Sequence, residues 1–155
     1  MNDLTEDEKF VSAVNEIFCE KIPFNRILGL RVESISFEAV KISIRMRDDL
    51  MGHYTRGMLH GGVISSLIDV AGGLSAFMGV QQRMRGDSLD ARIERLGRLS
   101  TVDVRVDFLR PGTGKWFVAT AWALRTGKKI AVTRIEVEND RNDLIAVGTG
   151  SYVVS

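Results

Sequence analysis

The sequence has only one cysteine, Cys19, among its 155 residues. A single thiol cannot form an intramolecular disulfide framework, so a small secreted domain stabilised by disulfides is excluded. A lone cysteine is also typical of proteins from a reducing compartment. No N-terminal segment shows the charged, apolar and cleavage regions of a signal peptide. We therefore expect a cytoplasmic protein.

The sequence also lacks an excess of charge of one sign. It has 21 Lys and Arg residues against 20 Asp and Glu residues, which gives a formal net charge of +1 at pH 7. Nucleic-acid-binding domains usually carry a strong positive excess, so we expect no nucleic-acid partner. No apolar run reaches the roughly 20 residues that span a bilayer, so we expect no membrane partner.

Motifs for several common chemistries are missing too. There is no G-x-S-x-G nucleophile elbow, so Ser65 and Ser66 are poor candidates for nucleophiles. The glycines around Lys115 lack the spacing of a Walker loop. The two histidines, His53 and His60, do not have a spacing that indicates a metal site, and we expect no bound metal.

The most informative stretch runs from Gly57 to Gly79, a glycine-rich turn followed by a predicted helix. Its apolar residues recur at helical spacing and cover almost the whole helix surface, which predicts a buried helix. Those residues are Val63, Ile64, Leu67, Ile68, Val70, Ala71, Leu74, Phe77 and Met78. Asp69 is its only charged residue, and a carboxylate on a buried helix is costly unless it is paired, hydrogen-bonded or used.

This predicted helix offers two chemical groups, a hydrogen-bond donor and a carboxylate. The first backbone N–H groups of a helix lack intrahelical partners and favour negative charge, which makes Gly61 a candidate oxyanion donor. Gly61 and Asp69 lie about 12 Å apart along the helix axis, at about 1.5 Å per residue. A general base must reach about 3 Å, so the two groups can share a substrate only if they come from two antiparallel copies of the helix. The alternative is that Asp69 is a structural carboxylate and the glycines only shape a turn.

The remaining pattern predicts an α+β fold. Thr5–Glu8 forms a capping box for an N-terminal helix that Pro23 ends. Alternating strands follow on both sides of the central helix, and we expect an antiparallel sheet wrapped around it. We place an N-terminal helical extension at residues 1–23 and the main domain at residues 24–155.

The turn and helix from Gly57 to Val63, with Asp69 further along, resemble the hotdog-fold acyl-CoA thioesterases of the phenylacetate-pathway type. The segment from Val106 to Gly112, which reads Val-Asp-Phe-Leu-Arg-Pro-Gly, resembles the strand that follows the helix in that family. The order of elements matches from about residue 24 to residue 154. The resemblance implies a hotdog fold and hydrolysis of an acyl-CoA to a free acid and coenzyme A, without a separate cofactor.

The resemblance also implies roles for individual residues. The Gly61 N–H would polarise the thioester carbonyl, and Asp69 of the other subunit would act as nucleophile or as general base on water. His60 and Gly62 would shape the turn that receives the substrate. The family usually has an asparagine in the loop before the glycines, and His53 takes its place here; the alternative is a surface histidine without a role.

Five arginines surround the stretch after the central helix: Arg83, Arg85, Arg92, Arg95 and Arg98. Arg92 and Arg95 are our candidates for contact with the phosphates of coenzyme A, because guanidinium matches phosphate in a bidentate way. The alternative is a solvated face, since Asp87, Asp90 and Glu94 lie between them.

The expected assembly is a homodimer, paired again into a dimer of dimers. Two other functions stay open at this point. A hotdog hydroxyacyl dehydratase would need a histidine facing an acid, and a non-catalytic acyl-CoA-binding module would need no catalytic group at all.

Overall fold

The computed structural model describes residues 6–155, and an N-terminal helical region opens it. This region consists of α1 (Glu6–Glu16), a π-helical turn (Ile17–Lys21) and α2 (Pro23–Leu28). The N-terminal helix is confirmed, but Pro23 begins a second helix as well as ending the first. Proline fits there because its missing N–H would have no partner in a first turn. Thr5 of the predicted capping box lies outside the described residues.

Eight strands and two further helices follow. The strands are β1 (Arg31–Ile35), β2 (Val40–Arg45), β3 (Met51–His53), β4 (Met58–Leu59), β5 (Ser100–Phe108), β6 (Trp116–Thr126), β7 (Ile130–Asn139) and β8 (Leu144–Val153). The helices are α3 (Gly61–Gln81) and α4 (Leu89–Glu94), and short 3-10 turns cover Asp48–Leu50 and Arg95–Arg98.

Six strands form one antiparallel sheet in the spatial order β1-β2-β6-β7-β8-β5. Helix α3 contacts β2, β5, β6, β7 and β8 of this sheet. The predicted α+β layout, with an antiparallel sheet around one long helix, is therefore confirmed. The segment 48–56 contains a 3-10 turn and strand β3, which pairs with β4 as a separate hairpin. This hairpin leads directly into α3.

Helix α3 is buried unequally along its length. Every residue from Ala71 to Gln81 is buried, whereas Val63, Ser66, Asp69 and Val70 in its first half are not fully covered. Among the described residues α3 is the one helix long and apolar enough to cross a membrane. However, 72% of its apolar 18-residue stretch is buried inside the protein. Such burial is what the core helix of a globular domain shows. The half-covered face of α3 is the place where a further chain or a ligand can pack.

The N-terminal helix shares the core of the sheet. Phe10, Val14 and Phe18 are buried in the same cluster as the apolar residues of α3. The rings of Phe10 and Phe77 stack with centroids 6.0 Å apart. Helix α1 therefore covers a side of α3 that the sheet leaves open. The domain boundary that we placed after residue 23 stays a prediction.

Tyr152 of β8 packs directly against the backbone of α3 at Gly72. A Cβ built at Gly72 would lie 2.3 Å from the Tyr152 hydroxyl, which is far closer than real contacts. At the adjacent Gly73 the nearest atom would be 3.5 Å away, which is ordinary contact. The close approach of helix and sheet therefore requires glycine at Gly72 and tolerates a side chain at Gly73.

These two glycines give a test of the helix–sheet packing. We expect Gly72→Ala to lower the free energy of unfolding by about 1–3 kcal/mol, the usual cost of overpacking a core. Gly73→Ala should raise it by up to about 1 kcal/mol, because alanine favours helix over glycine. Urea denaturation of both variants measures the two changes. Equal effects at both positions would contradict this packing.

Candidate active site

The N-terminus of α3 has one backbone N–H that no group in the described part of the chain accepts from. His60 is the N-cap, and its Nδ1 accepts a hydrogen bond of 2.8 Å from the Gly62 N–H. The His60 carbonyl accepts from the N–H groups of Val63 and Ile64. Within residues 6–155 the Gly61 N–H has no acceptor. The capping therefore leaves Gly61 as the free donor at this helix end, where the helix dipole favours developing negative charge.

The same hydrogen bonds explain what His60 and Gly62 do. The His60 side chain caps the helix because its Nδ1 accepts the hydrogen bond from the Gly62 N–H, which requires an Nδ1 without a hydrogen. The N–H of Gly62 is already used by this cap and does not point to a ligand. Our expectation that His60 and Gly62 shape the turn agrees with this geometry, and their contact with substrate stays a prediction.

The turn before α3 is held by neighbouring segments. The His60 N–H donates to the Leu50 carbonyl, and the Leu59 N–H donates to the Gly112 carbonyl, each at 2.8 Å. A Cβ at Gly52 would lie 2.7 Å from His60 Cα, so the hairpin backbone can approach this closely only with glycine there. The Gly61 N–H is thus placed by rigid neighbours, as an oxyanion donor requires.

Asp69 lies on the half-covered face of α3, and two hydroxyl groups from the sheet fix its position. Asp69 Oδ1 accepts a hydrogen bond of 2.9 Å from Thr101 Oγ1. The Tyr152 hydroxyl donates to the backbone carbonyl of Asp69 at 3.1 Å. Burial raises the pKa of Tyr152 above its usual value, and the Asp69 carboxylate raises it further. Tyr152 therefore stays a neutral donor beside Asp69.

Sequence reasoning missed Thr101, because the strand alternation pointed elsewhere. Val102, Val104 and Val106 alternate with polar residues and predict that Val102 faces the core. The structure shows a β-bulge between Thr101 and Asp103, and Val102 is 60% exposed. A bulge adds one unpaired residue and shifts the facing of its neighbours, which turns Thr101 toward α3. The one feature of the sequence that could have indicated this role is that Thr101 is a polar residue at the start of a strand, just after the arginine-rich stretch.

An open cleft of about 630 Å³ lies along Asp69, between α3 and β5. It is lined by Ser65, Ser66, Asp69, Thr101, Val102, Asp103, Val104 and Val106. The two serine hydroxyls donate to the carbonyls of Gly61 and Gly62, so they are bonded within the helix. Asp69 is therefore the carboxylate of α3 that this cleft exposes.

Phe108 at the end of β5 forms an apolar wall beside the helix N-terminus. A Cβ built at Gly61 would lie 3.4 Å from the Phe108 ring, and the ring itself is 55% exposed. The sequence marked Phe108 only as part of a strand. Its exposure next to the free N–H makes it a second site residue that strand patterning did not reveal.

The continuous helix from Gly61 to Gln81 confirms the spacing on which the two-copy argument rests. Gly61 and Asp69 lie about 12 Å apart along its axis. One chain therefore does not bring the donor and the carboxylate together.

His53 lies at the end of β3 and its side chain is exposed. Its Nδ1 is 2.9 Å from Thr55 Oγ1, and its ring stacks on Tyr54, which is 91% exposed. Within the described residues no contact joins His53 to Asp69 or Gly61. Its proposed catalytic role stays a prediction.

The structure separates the two arginines that were expected to contact phosphate. Arg92 is 4% exposed; its guanidinium lies 3.8 Å over the Phe10 ring and bonds Gln81 Oε1 at 3.2 Å and Asp7 at 3.3 Å. It thus joins α4 to α1 and α3, and it is not free to contact a substrate. Arg95 is only partly buried and forms no ion pair within residues 6–155. Arg95 alone of the two remains available for an anion.

A free backbone donor and a carboxylate can together support acyl transfer to water. The N–H stabilises the negative charge that forms on a carbonyl oxygen, and the carboxylate attacks the carbonyl carbon or activates water. Within residues 6–155 no group of three or more His, Cys, Asp and Glu side chains is arranged to hold a metal ion. The expectations of no metal and no cofactor stay predictions.

Comparison with known sequences agrees with this chemistry. The family model of the thioesterase superfamily matches residues 56–146, which include Gly61, Asp69 and Thr101. The chain is 38% identical over 154 residues to the medium/long-chain acyl-CoA thioesterase YigI of Escherichia coli K12, covering 99% of both chains.

Solved structures show the same architecture. A protein from Syntrophus aciditrophicus, assigned as a thioesterase, is 54% identical with a TM-score of 0.87, and the match covers 96% of this chain and 98% of that one. A Shewanella oneidensis protein related to the thioesterase superfamily is 37% identical with a TM-score of 0.90, over 95% and 96% of the two chains. This chain therefore belongs to the thioesterase superfamily, and its sheet around a central helix is the hotdog fold.

Proposed function

We propose that the protein hydrolyses acyl-CoA thioesters to a free acid and coenzyme A. The observation that carries this proposal is the unused Gly61 N–H at one point of α3 and the oriented Asp69 carboxylate at another. The relative YigI, which matches this chain almost end to end, is named for medium- and long-chain acyl-CoA substrates. We infer the same substrate class here. The exposed side chains of Val102 and Phe108 on β5 supply apolar surface for such an acyl chain.

The proposed site is shared between two copies of the chain. Strand β5 is an edge of the six-stranded sheet and exposes Val102 and Phe108 by 60% and 55%. An edge strand with free backbone groups and exposed apolar side chains readily pairs with another chain. Antiparallel pairing of two β5 strands would continue the sheet and place the half-covered faces of two α3 helices side by side. The Gly61 of one chain would then approach the Asp69 of the other.

The residues act as follows in this proposal. The Gly61 N–H donates to the thioester oxygen as negative charge forms there. Asp69 of the other chain either attacks the carbonyl carbon or takes a proton from the attacking water. If water attacks, cleavage of the C–S bond gives the acid directly. If Asp69 attacks, cleavage of the C–S bond leaves a mixed anhydride on Asp69, which a water molecule then hydrolyses to the acid and the free Asp69 carboxylate. In both routes the leaving thiolate of coenzyme A takes up the proton that the water gives up. Thr101 holds Asp69 Oδ1 in place for this step.

We further propose that the protein is of the phenylacetate-pathway subtype, that it forms a dimer of dimers in the cytoplasm, and that it needs no separate cofactor. The dehydratase and the binding module are less favoured, because within the described chain no contact joins His53 to Asp69 and YigI is named as a thioesterase.

Release of coenzyme A thiol from a panel of acyl-CoAs, followed with a thiol-reactive dye, tests the function. We expect release with medium- and long-chain substrates. Asp69→Asn should lower kcat by at least ~100-fold, the scale of lost acid–base catalysis, with KM little changed. Asp103→Asn, in the same cleft, is the matched control and should keep its activity. Hydration of an enoyl-CoA without thiol release would indicate a dehydratase, and binding without turnover would indicate a sensor.

Thr101 allows a test of positioning. Thr101→Val removes the hydroxyl but keeps the shape, so we expect kcat to fall about tenfold with KM unchanged, the scale of a lost hydrogen bond to a charged group. Thr101→Ser restores the hydroxyl and should recover most of kcat. If serine fails to recover the rate that valine loses, the Thr101 hydroxyl does not position Asp69.

Mixed dimers test the shared site. Chains with Asp69→Asn are combined with chains carrying Gly61→Leu, whose side chain would crowd Phe108 at the donor. Each variant alone should be nearly inactive. The heterodimer has one doubly altered site and one intact site, so about half of the wild-type activity per dimer should return. Light scattering confirms the dimers. Proven heterodimers without recovered activity would mean that both groups act within one chain or that Asp69 is structural.

A further inference from the structure

A second cleft, of about 420 Å³, lies where the C-terminal end of α3 meets the turn between β6 and β7. Three of its lining residues are cations: Arg83, Arg95 and Lys128. Asp87 is the one acidic residue in its lining. This basic cleft is separate from the cleft at Asp69 and shares no residue with it.

The cations of the basic cleft are not neutralised by the protein. Within residues 6–155 no ion pair involves Arg83, Arg95, Lys128 or Asp87. Arg83 is held in place because its guanidinium donates to the carbonyls of Thr126 and Gly127. Three cations around one cleft repel each other, so the arrangement favours an anion between them.

Arg95 adds a sharper indication. Its Nε atom is buried and has no hydrogen-bond partner among the described residues. A buried donor without a partner carries a free-energy cost that a ligand can remove. A phosphate oxygen is a suitable acceptor, because guanidinium binds phosphate with charge-assisted, bidentate geometry.

The cleft lies at a defined distance from the proposed thioester position. Thr101, which bonds Asp69, is paired with Tyr152 on β8. Val154 of the cleft is two residues beyond Tyr152, which is roughly 7 Å along a strand. Val80 of the cleft is eleven residues beyond Asp69, roughly 16 Å along α3. The extended pantetheine arm, which joins the thioester sulfur of an acyl-CoA to its phosphates, is long enough to bridge the longer of these two spans.

We propose that the basic cleft of Arg83, Arg95 and Lys128 is a phosphate-binding site that receives the phosphates of the coenzyme A moiety. This inference rests on the proposed function for the identity of the ligand. The sequence pattern suggested Arg92 and Arg95 as the phosphate contacts. Because Arg92 is buried, the structure favours Lys128 and Arg83 beside Arg95. None of these three residues takes part in the chemical step; they hold the nucleotide end while the acyl end lies at Asp69.

Binding of unacylated coenzyme A, measured by calorimetry, tests this site without turnover. We expect Lys128→Gln and Arg95→Gln each to weaken coenzyme A binding about tenfold, the scale of one lost charge-assisted hydrogen bond. Lys129→Gln and Arg98→Gln are matched controls, since each removes a neighbouring cation that does not line the cleft. Pantetheine, which lacks phosphates, should bind all five proteins alike. Lys128 is exposed, so its substitution tests the site even if Arg95→Gln unfolds.

Three outcomes would overturn the proposal. Equal coenzyme A affinity in the cleft variants and the wild type would show that the cleft does not hold its phosphates. An equal loss in the control variants would indicate a general effect of charge. Inorganic pyrophosphate should compete with coenzyme A, and its binding in the cleft without competition would make this a site for free phosphate. If the protein hydrolyses acyl-CoA but the cleft variants bind coenzyme A as the wild type does, the phosphate site is wrong and the proposed function stands. If coenzyme A binds through the cleft but no acyl-CoA is hydrolysed, the proposed function is wrong and the phosphate site stands.

Discussion

The burial of α3 against one face of the sheet is the constraint on which the rest of the structure depends. From Ala71 to Gln81 the helix has no exposed residue, so nearly every strand and α1 must supply apolar contacts to it. Such packing is possible only where the backbones approach closely, as at Gly72 against the Tyr152 ring. The same contact places the Tyr152 hydroxyl against the Asp69 carbonyl. The same contact between α3 and β8 therefore packs the core and positions the residue that carries the carboxylate.

The candidate site lies at the end of α3 that the single chain does not cover. A carboxylate deep in the core would be strongly disfavoured in its charged form, whereas Asp69 keeps access to an open cleft and a hydrogen bond from Thr101. The helix N-terminus, about 12 Å from Asp69 along the axis, keeps one N–H without an acceptor among the described residues, because the His60 side chain and carbonyl use the following three. Both groups are rigid, and both face the side on which the edge strand β5 exposes apolar residues. The incomplete cover of α3 is thus the feature on which both the proposed assembly and the proposed catalysis depend.

Arginine residues of similar sequence context have different physical roles here. Arg92 and Arg95 are three residues apart; Arg92 lies two residues after Asp90, and Arg95 directly follows Glu94. The first is buried over Phe10 and joins three helices, while the second borders an unneutralised cleft beside Lys128. A buried cation needs hydrogen-bond partners, which Gln81 and Asp7 provide at Nε and Nη1 of Arg92, while Nη2 of Arg92 and Nε of Arg95 have none among the described residues. Charge clusters in a sequence therefore do not by themselves identify a ligand site.

The sequence alone determined the helix of α3, the alternating strands, the α+β class and the two groups Gly61 and Asp69, because periodicity and helix-end chemistry are local properties. It also determined that one chain cannot join these two groups, since helix rise is constant. The tertiary structure alone decided that Thr101 orients Asp69, that Phe108 borders Gly61 and that Arg92 is structural. Thr101 and Asp69 are 32 residues apart, and Arg92 and Asp7 are 85 apart. Their contacts arise from packing and from a bulge in β5, which no local pattern encodes.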